Sequence, residues 1–211
     1  MAKNDKKKGM NLPNKLTILR LVISAVVLVI LCIPWSSLGI EWPIYSVKTL
    51  SLDFNLEYIV VGILFAIGSL TDVLDGYLAR KYNSVTDFGK VMDAIADKVL
   101  VNGVLIILAS SNFIPVIVPV IVISRDIAVD SLKMVVGKTE GAVQASWHGK
   151  IKTVCMMIGI ILLFIIGIPL SSFENSLYRI DLLFIYVATI LSIISGYIYF
   201  DSYKDYIFSD I

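Results

Sequence analysis

Residues 99–124, "VLVNGVLIILASSNFIPVIVPVIVIS", contain no charged side chain and are long enough to cross a lipid bilayer. The stretch could form one long helix, or two helices that turn at "SSNFIP". Basic residues flank it on both sides, and cytoplasmic loops of membrane proteins are enriched in Lys and Arg. A single crossing would separate the two basic groups, whereas two crossings leave both on one face. The sequence therefore predicts two helices, with Pro115 in the first turn of the second.

The rest of the chain is similarly apolar. Of its 211 residues, 57% are hydrophobic, and the mean hydropathy is +0.85. Both values lie outside the usual range of soluble domains, so we interpret the chain as a membrane protein. Segments of about 20 apolar residues, the length of a transmembrane helix, recur along the sequence. There are six of them, at residues 17–35, 57–78, 91–111, 113–136, 150–170 and 179–200.

The basic residues predict the orientation of these six helices. If both termini are cytoplasmic, all of the 18 Lys and Arg residues except Lys48 and Arg179 face the cytoplasm. Residues 1–16 then form a basic cytoplasmic segment, and residues 36–56 form the long external loop. We find no internal repeat and no second domain. We therefore expect one domain over residues 1–211, an all-α bundle of six transmembrane helices in the cell membrane.

Four aspartates lie at the predicted cytoplasmic ends of the second and third helices. Asp72 and Asp75 are three residues apart, and Asp93 and Asp97 are four apart, so each pair projects from one helix face. A short connection makes the two helices antiparallel, which allows the carboxylates to converge. Such a cluster requires cations, and oxygen ligands without nearby His or Cys suit Mg²⁺, Mn²⁺ or Ca²⁺. Spacing alone also allows another interpretation, in which the aspartates cap helix ends and pair with neighbouring basic side chains.

The aspartates belong to a longer pattern. Residues 72–97, "DVLDGYLARKYNSVTDFGKVMDAIAD", resemble the signature of the CDP-alcohol phosphotransferases, D-x2-D-G-x2-A-R-x8-G-x3-D-x3-D. All eight fixed positions match: Asp72, Asp75, Gly76, Ala79, Arg80, Gly89, Asp93 and Asp97. The resemblance implies a bundle of six transmembrane helices that forms a homodimer, with the signature on helices two and three at the cytoplasmic side. It also implies transfer of a substituted phosphate from a CDP-linked lipid to an alcohol, with release of CMP.

The resemblance implies roles for individual residues. Asp72, Asp75 and Asp93 would bind two divalent ions, Mg²⁺ or alternatively Mn²⁺. Asp97 would complete this metal cluster and act as the general base. The CDP group would contact two of the aspartates, three other signature residues and the first helix. These predicted CDP contacts are Asp72, Asp75, Gly76, Ala79, Arg80, Asn14, Thr17 and Arg20.

Two further stretches indicate the acceptor alcohol. "NLPNKLTILR" at residues 11–20 and "GKIKT" at residues 149–153 resemble the bacterial subfamily in which sn-glycerol 3-phosphate accepts the phosphatidyl group. An anionic acceptor requires cations. Basic residues near the cytoplasmic ends of helices four and five are the candidates, although membrane topology alone would also explain them. They are Arg125, Lys133, Lys138, Lys150 and Lys152.

Two alternatives remain open on the sequence. The same chemistry could use serine, inositol phosphate or another lipid headgroup as the acceptor. A divalent-cation transporter would explain aspartates within the membrane, but not Gly76, Ala79 and Arg80 at their fixed spacing. Under the favoured interpretation the expected partners are CDP-diacylglycerol, sn-glycerol 3-phosphate, membrane lipids and a second copy of the chain. No nucleic acid partner is expected.

Overall fold

The computed structural model describes residues 12–47, 52–81, 87–137, 147–170 and 180–208. Within these ranges most residues are α-helical. The helices are α1 (Leu12–Cys32), α2 (Leu56–Lys81), α3 (Asp87–Ser110), α4 (Ile117–Gly137), α5 (Trp147–Leu162), α6 (Ile168–Leu170) and α7 (Ile180–Phe208). α5 continues into α6 through a π-helical turn, Leu163–Gly167, so these three elements form one helix. The described ranges therefore contain six long helices, in the order that the apolar segments predict.

The uncharged stretch at residues 99–124 is divided between two helices, as predicted. α3 ends at Ser110 and α4 begins at Ile117. Pro115 lies just before α4, and its carbonyl oxygen accepts a hydrogen bond from the Val118 N–H at 3.0 Å. Since proline lacks an N–H, this position at a helix start leaves no helical hydrogen bond unmade.

The backbone at the end of α3 explains why the helix stops there. Asn112 adopts a left-handed conformation with φ of 60°, which Asn tolerates better than most residues. Its N–H donates to the Ala109 carbonyl at 3.1 Å, and the Phe113 N–H donates to the Leu108 carbonyl at 2.9 Å. These two bonds form a Schellman motif, which satisfies carbonyl groups at the helix end.

The segment predicted to be an external loop contains a short β-hairpin. A 3₁₀ turn at Trp35–Leu38 is followed by β1 (Ile44–Val47) and β2 (Leu52–Asn55), which pair antiparallel. The two strands contain the β-branched and aromatic residues that favour extended backbone. The all-α prediction is therefore wrong for these residues, although the helical bundle itself agrees with it.

Contacts at the two ends of α2 and α3 show that these helices are antiparallel, as predicted. At one end, Asp72 of α2 and Asp93 of α3 both contact Arg20 of α1. At the other end, the ring of Tyr58, near the start of α2, lies 5.7 Å from the ring of Phe113, just beyond α3. Asp72 and Asp93 are thereby brought to the same end of the bundle.

The bundle consists of two groups of three helices. α1 packs on α2 and α3, whereas α7 packs on α4 and α5. One apolar core continues through both groups and includes buried residues such as Phe65, Leu105 and Phe164. α2 approaches the π-helical turn closely at Gly62, where an added Cβ would lie only 2.9 Å from the Cβ of Phe164. A glycine at this position therefore permits the two groups to pack together.

Three of the described helical segments are individually long and apolar enough to cross a membrane. They are Asn14–Cys32, Gly149–Gly167 and Leu182–Lys204. Large apolar side chains also point outward from helices of both groups, as lipid contact requires. Examples are Val29, Leu70, Ile106, Ile127, Val154 and Ile190. The chain is a membrane protein, and the count of six crossings stays a prediction.

Candidate active site

Three of the predicted metal ligands lie together at one end of the bundle. Asp72 of α2 and both Asp93 and Asp97 of α3 line one cavity of about 440 Å³. Arg20 of α1 joins two of them, because its Nη1 lies 2.6 Å from Asp72 Oδ1 and 2.7 Å from Asp93 Oδ1. The predicted convergence of α2 and α3 aspartates is thus confirmed for these three. We call Asp72, Asp93 and Asp97 the anionic wall.

Arg20 is the buried counter-charge of the anionic wall. It is only 1% exposed and is among the largest fully buried side chains of the described residues. A buried guanidinium requires anionic partners, and the two carboxylates supply them. Thr17, one turn earlier on α1, is also buried, and Asn14 is partly exposed. The predicted contacts of these three residues with CDP remain predictions.

Several residues of the signature fall outside what the structure describes. The backbone of α2 includes Asp75, Gly76, Ala79 and Arg80, but their side chains lie outside the described part of the chain. Lys138 lies outside it entirely. Their predicted roles therefore stay predictions.

The chemistry of the anionic wall fits a divalent cation. Carboxylate oxygens are the ligands that Mg²⁺ and Mn²⁺ prefer, and Asp72, Asp93 and Asp97 present them to one cavity. Among the side chains that the structure describes, no group of three or more His, Cys, Asp or Glu residues is arranged as a ready metal site. Arg20 instead supplies the positive charge between two of the carboxylates. A bound ion would therefore share these carboxylates with Arg20 or replace it.

Four of the five predicted acceptor-binding residues line the same cavity. Arg125 and Lys133 come from α4, and Lys150 and Lys152 come from α5. We call these four residues the cationic wall. Membrane topology alone would place these basic residues on one side of the membrane. It would not bring them together in one cavity, as the structure does.

Arg125 is held by three neighbouring groups. Its Nη1 donates to Asp126 at 2.9 Å, its Nη2 donates to the Ser195 hydroxyl of α7, and its guanidinium lies 5.7 Å from the Tyr199 ring centre. An added Cβ at Gly196 would lie 3.0 Å from Arg125 Cγ. Ser195 and Gly196 are small enough to let the Arg125 side chain pack directly against α7.

The cavity also contains residues that were not predicted from the sequence, among them Asp126, Asp130 and Tyr199. Asp126 accepts a second hydrogen bond, from Lys152 Nζ at 2.7 Å. Asp130 forms an ion pair with Lys98 of α3, and the Tyr199 ring lies beside the cationic wall. A signal for the two aspartates was available, because they are four residues apart like Asp93 and Asp97. They lie outside the signature, and the tyrosine of α7 has no such pattern.

Comparisons with known proteins agree with the signature. Residues 10–194 match the sequence profile of the family described as CDP-alcohol phosphatidyltransferase. A Bacillus subtilis protein named CDP-diacylglycerol--glycerol-3-phosphate 3-phosphatidyltransferase is 36% identical over 190 residues, which cover 90% of this chain and 93% of that protein. A Rickettsia bellii protein of the same name is 35% identical over 199 residues, covering 93% and 97% of the two chains.

A more distant relative extends this agreement. A Mycobacterium tuberculosis protein named probable phosphatidylglycerophosphate synthase is 32% identical over 186 residues, which cover 88% of this chain and 78% of that protein. The family generally depends on divalent metal ions, in accord with the oxygen ligands of the anionic wall. The profile match and the relatives both cover most of the sequence, and the helical bundle brings Asp72, Asp93 and Asp97 of the signature to one cavity. The chain belongs to the CDP-alcohol phosphatidyltransferase family.

Proposed function

We propose that the chain transfers the phosphatidyl group of CDP-diacylglycerol to sn-glycerol 3-phosphate, forming phosphatidylglycerol phosphate and CMP. One observation carries this proposal: the anionic and cationic walls line a single cavity. The reaction needs a metal-assisted site for a pyrophosphate next to a site for a second, metal-free phosphate. Relatives that match most of the chain are named for this reaction.

The anionic wall serves the donor. Asp72, Asp75 and Asp93 would hold two Mg²⁺ ions, with Mn²⁺ as an alternative, and Asp97 would complete the cluster. When bound, these ions supply positive charge to the pyrophosphate and to the attacking and leaving oxygens. The nucleotide lies against residues of α1 and of the signature on α2. These residues are Asn14, Thr17, Arg20, Gly76, Ala79 and Arg80.

Asp97 acts as the general base. It lies one turn after Asp93 on α3 and lines the cavity that the cationic wall also faces. Its carboxylate accepts the proton of the acceptor hydroxyl as that oxygen attacks the phosphorus attached to diacylglycerol. The bond from this phosphorus to the oxygen of CMP breaks, and CMP leaves. This is a direct displacement at phosphorus, so no covalent intermediate forms on the protein.

The cationic wall binds the phosphate of the acceptor. Arg125 presents a planar guanidinium that suits two phosphate oxygens, and lysine ammonium groups add charge around it. The other contributors are Lys133, Lys150 and Lys152, together with Lys138 as predicted from the sequence. Binding the phosphate on this wall directs the free hydroxyl of sn-glycerol 3-phosphate toward Asp97.

The decisive experiment offers one acceptor at a time to purified protein with Mg²⁺ and CDP-diacylglycerol, and measures CMP release. We expect turnover with sn-glycerol 3-phosphate and little with serine, inositol or inositol phosphate. Turnover only with another acceptor would contradict the proposed substrate. Mg²⁺ uptake by proteoliposomes without CMP release would instead support a transporter.

The membrane arrangement is part of the proposal. All six long helices cross the membrane, both termini and the active site are cytoplasmic, and the protein is a homodimer in the cell membrane. Single cysteines at Ser111 and Ser202, in a background that lacks Cys32 and Cys155, test the orientation. A membrane-impermeant thiol reagent added to intact cells should label the first and not the second. Labelling of both from outside would contradict this topology, and the molecular mass in detergent tests the dimer.

A further inference from the structure

Asp126 occupies the centre of the cationic wall. The same oxygen, Oδ1, accepts from Arg125 Nη1 at 2.9 Å and from Lys152 Nζ at 2.7 Å. The two cations come from different helices, α4 and α5. The Asp126 side chain is 16% exposed, and that of Lys152 is 8% exposed. One carboxylate therefore holds together two largely desolvated cations that would otherwise repel each other.

Both cations retain hydrogen-bond donors for a ligand. A guanidinium has five N–H groups and an ammonium has three. Asp126 and Ser195 engage the two terminal nitrogens of Arg125, and each of these nitrogens carries a second N–H, whereas Nε is buried. Lys152 likewise uses only part of its donor capacity on Asp126. The pair is thus oriented by the carboxylate without being saturated by it.

The position of Asp126 also relates the cationic wall to Asp97. A second cavity of about 20 Å³, enough for roughly one water molecule, is lined by Asp97, Asp126 and Lys152 among other residues. The carboxylate that orients the two cations is therefore close to the proposed general base. A shift of either cation would change the place of a bound phosphate relative to that base.

We propose that Asp126 is a positioning residue of the acceptor subsite, which holds Arg125 and Lys152 side by side so that their remaining donors bind the phosphate of sn-glycerol 3-phosphate. This inference rests on the proposed function. A purely structural ion pair would change the free energy of unfolding when it is broken, but it would not raise the KM of one substrate selectively. The effect of Asp126 should therefore appear in the KM of the acceptor.

The test compares the kinetics of Asp126→Asn with those of the wild type. The amide is nearly the same size as the carboxylate but lacks its charge, so we expect the KM for sn-glycerol 3-phosphate to rise about 10-fold. The KM for CDP-diacylglycerol should change less than about 2-fold, since the donor binds at the other wall. Asp126→Glu should recover part of the loss and also serves if the amide variant fails to fold. The matched control is Asp201→Asn, because this exposed aspartate does not line the cavity and its Oδ1 lies 2.8 Å from Lys204 Nζ. Both KM values of this variant should equal those of the wild type.

A double-mutant cycle separates positioning from an independent effect. In a Lys152→Met background, Asp126→Asn should raise the acceptor KM by less than about 3-fold, because one of the two groups that it orients is gone. An undiminished effect, or an equal rise in the KM for CDP-diacylglycerol, would overturn the inference. If the wild type is active with sn-glycerol 3-phosphate and Asp126→Asn has a normal acceptor KM, only this inference is wrong. If the wild type itself releases no CMP with that acceptor, the proposed function is wrong and the inference fails with it.

Discussion

In each wall of the cavity, like charges are held close together by one group of opposite charge, and the two walls differ in sign. In the anionic wall, Asp72 and Asp93 converge on Arg20, which is 1% exposed. In the cationic wall, Arg125 and Lys152 converge on Asp126. Like charges can be held near one another only if an opposite charge lies between them. Each wall is therefore paired with one residue of the opposite sign, which is fully buried in the case of Arg20 and largely buried in the case of Asp126.

The ion-paired groups of the two walls differ in exposure. The side chains of Asp72 and Asp93 are 29% and 46% exposed, whereas those of Arg125 and Lys152 are 14% and 8% exposed. Accessible carboxylates can exchange Arg20 for incoming metal ions, whereas desolvated cations bind a phosphate strongly because little water competes. We therefore predict a replaceable counter-charge on the proposed donor side and a permanent one on the proposed acceptor side.

The largest expected effect comes from Asp97→Asn, which removes the proposed base and leaves both counter-charges in place. Turnover should fall by roughly 10²- to 10⁴-fold, the usual contribution of a general base. Binding of CDP-diacylglycerol should persist, because the proposed metal ligands Asp72, Asp75 and Asp93 are unchanged. Rates of CMP release and calorimetric binding of the donor measure the two quantities. A near-normal kcat would refute the assignment of the base.

The next largest effect concerns the counter-charge of the anionic wall. Arg20→Gln leaves two carboxylates without their cation, so the free energy of unfolding should drop by about 3 kcal/mol, at the low end for a broken buried ion pair because Asp93 is partly exposed. If metal ions replace Arg20, Mg²⁺ should stabilise this variant more than the wild type. Unfolding in detergent with EDTA and with Mg²⁺ gives both values.

The control for this experiment is Lys204→Gln, which removes the cation of an exposed ion pair. It should change stability by less than about 1 kcal/mol, with the same response to Mg²⁺ as the wild type. Equal stabilisation of Arg20→Gln and of the wild type by Mg²⁺ would show that the counter-charge is not replaceable.

An effect of similar or smaller size is expected on the cationic wall. Arg125→Ala should raise the KM for sn-glycerol 3-phosphate roughly 10- to 150-fold, because a hydrogen bond to a charged group contributes on the order of 1.5–3 kcal/mol. The KM for CDP-diacylglycerol should change little. Steady-state kinetics with each substrate varied in turn provide the comparison. An effect confined to the CDP-lipid would assign Arg125 to the donor side and abolish the distinction between the walls.

The smallest effect is expected for the ion pair that links α3 to α4. Lys98 and Asp130 are 40% and 41% exposed, and exposed ion pairs contribute about 0–1 kcal/mol. Lys98→Met should therefore change the free energy of unfolding by less than about 1 kcal/mol. Thermal unfolding of the wild type, Lys98→Met and Arg20→Gln under the same conditions measures the two changes in stability. A loss as large as that of Arg20→Gln would mean that the two walls depend on each other for stability.

The anionic wall was largely predictable because its members are close in sequence. Asp93 and Asp97 share a helix face through helical geometry alone, and a short connection to α2 brings Asp72 to the same end. The break between α3 and α4 was predictable for a similar reason, since topology required it and "SSNFIP" offered residues suited to it. The hairpin at residues 44–55 was missed because its strands are short and lie within a loop defined only by its polarity.

The partners within each wall were not predictable. No local pattern relates Arg20 to Asp93, which is 73 residues away, or Arg125 to Ser195, which is 70 residues away. Asp126 follows Arg125 directly and looks like a surface charge in the sequence. Its role depends on Lys152, which reaches it from α5.

By itself, the sequence determined the membrane class and the helix order, because composition and periodicity act over one or two turns of helix. The family and the expected roles of the carboxylates followed from the resemblance of residues 72–97 to the signature. Only the tertiary structure decided that α4, α5 and α7 bring their basic and aromatic side chains to the cavity of the aspartates, and which oppositely charged residue pairs with each wall. The physical reason is that helix packing is set by the shapes of many side chains at once. Small residues such as Gly62 and Gly196 determine how closely helices approach, and that approach determines which charges meet.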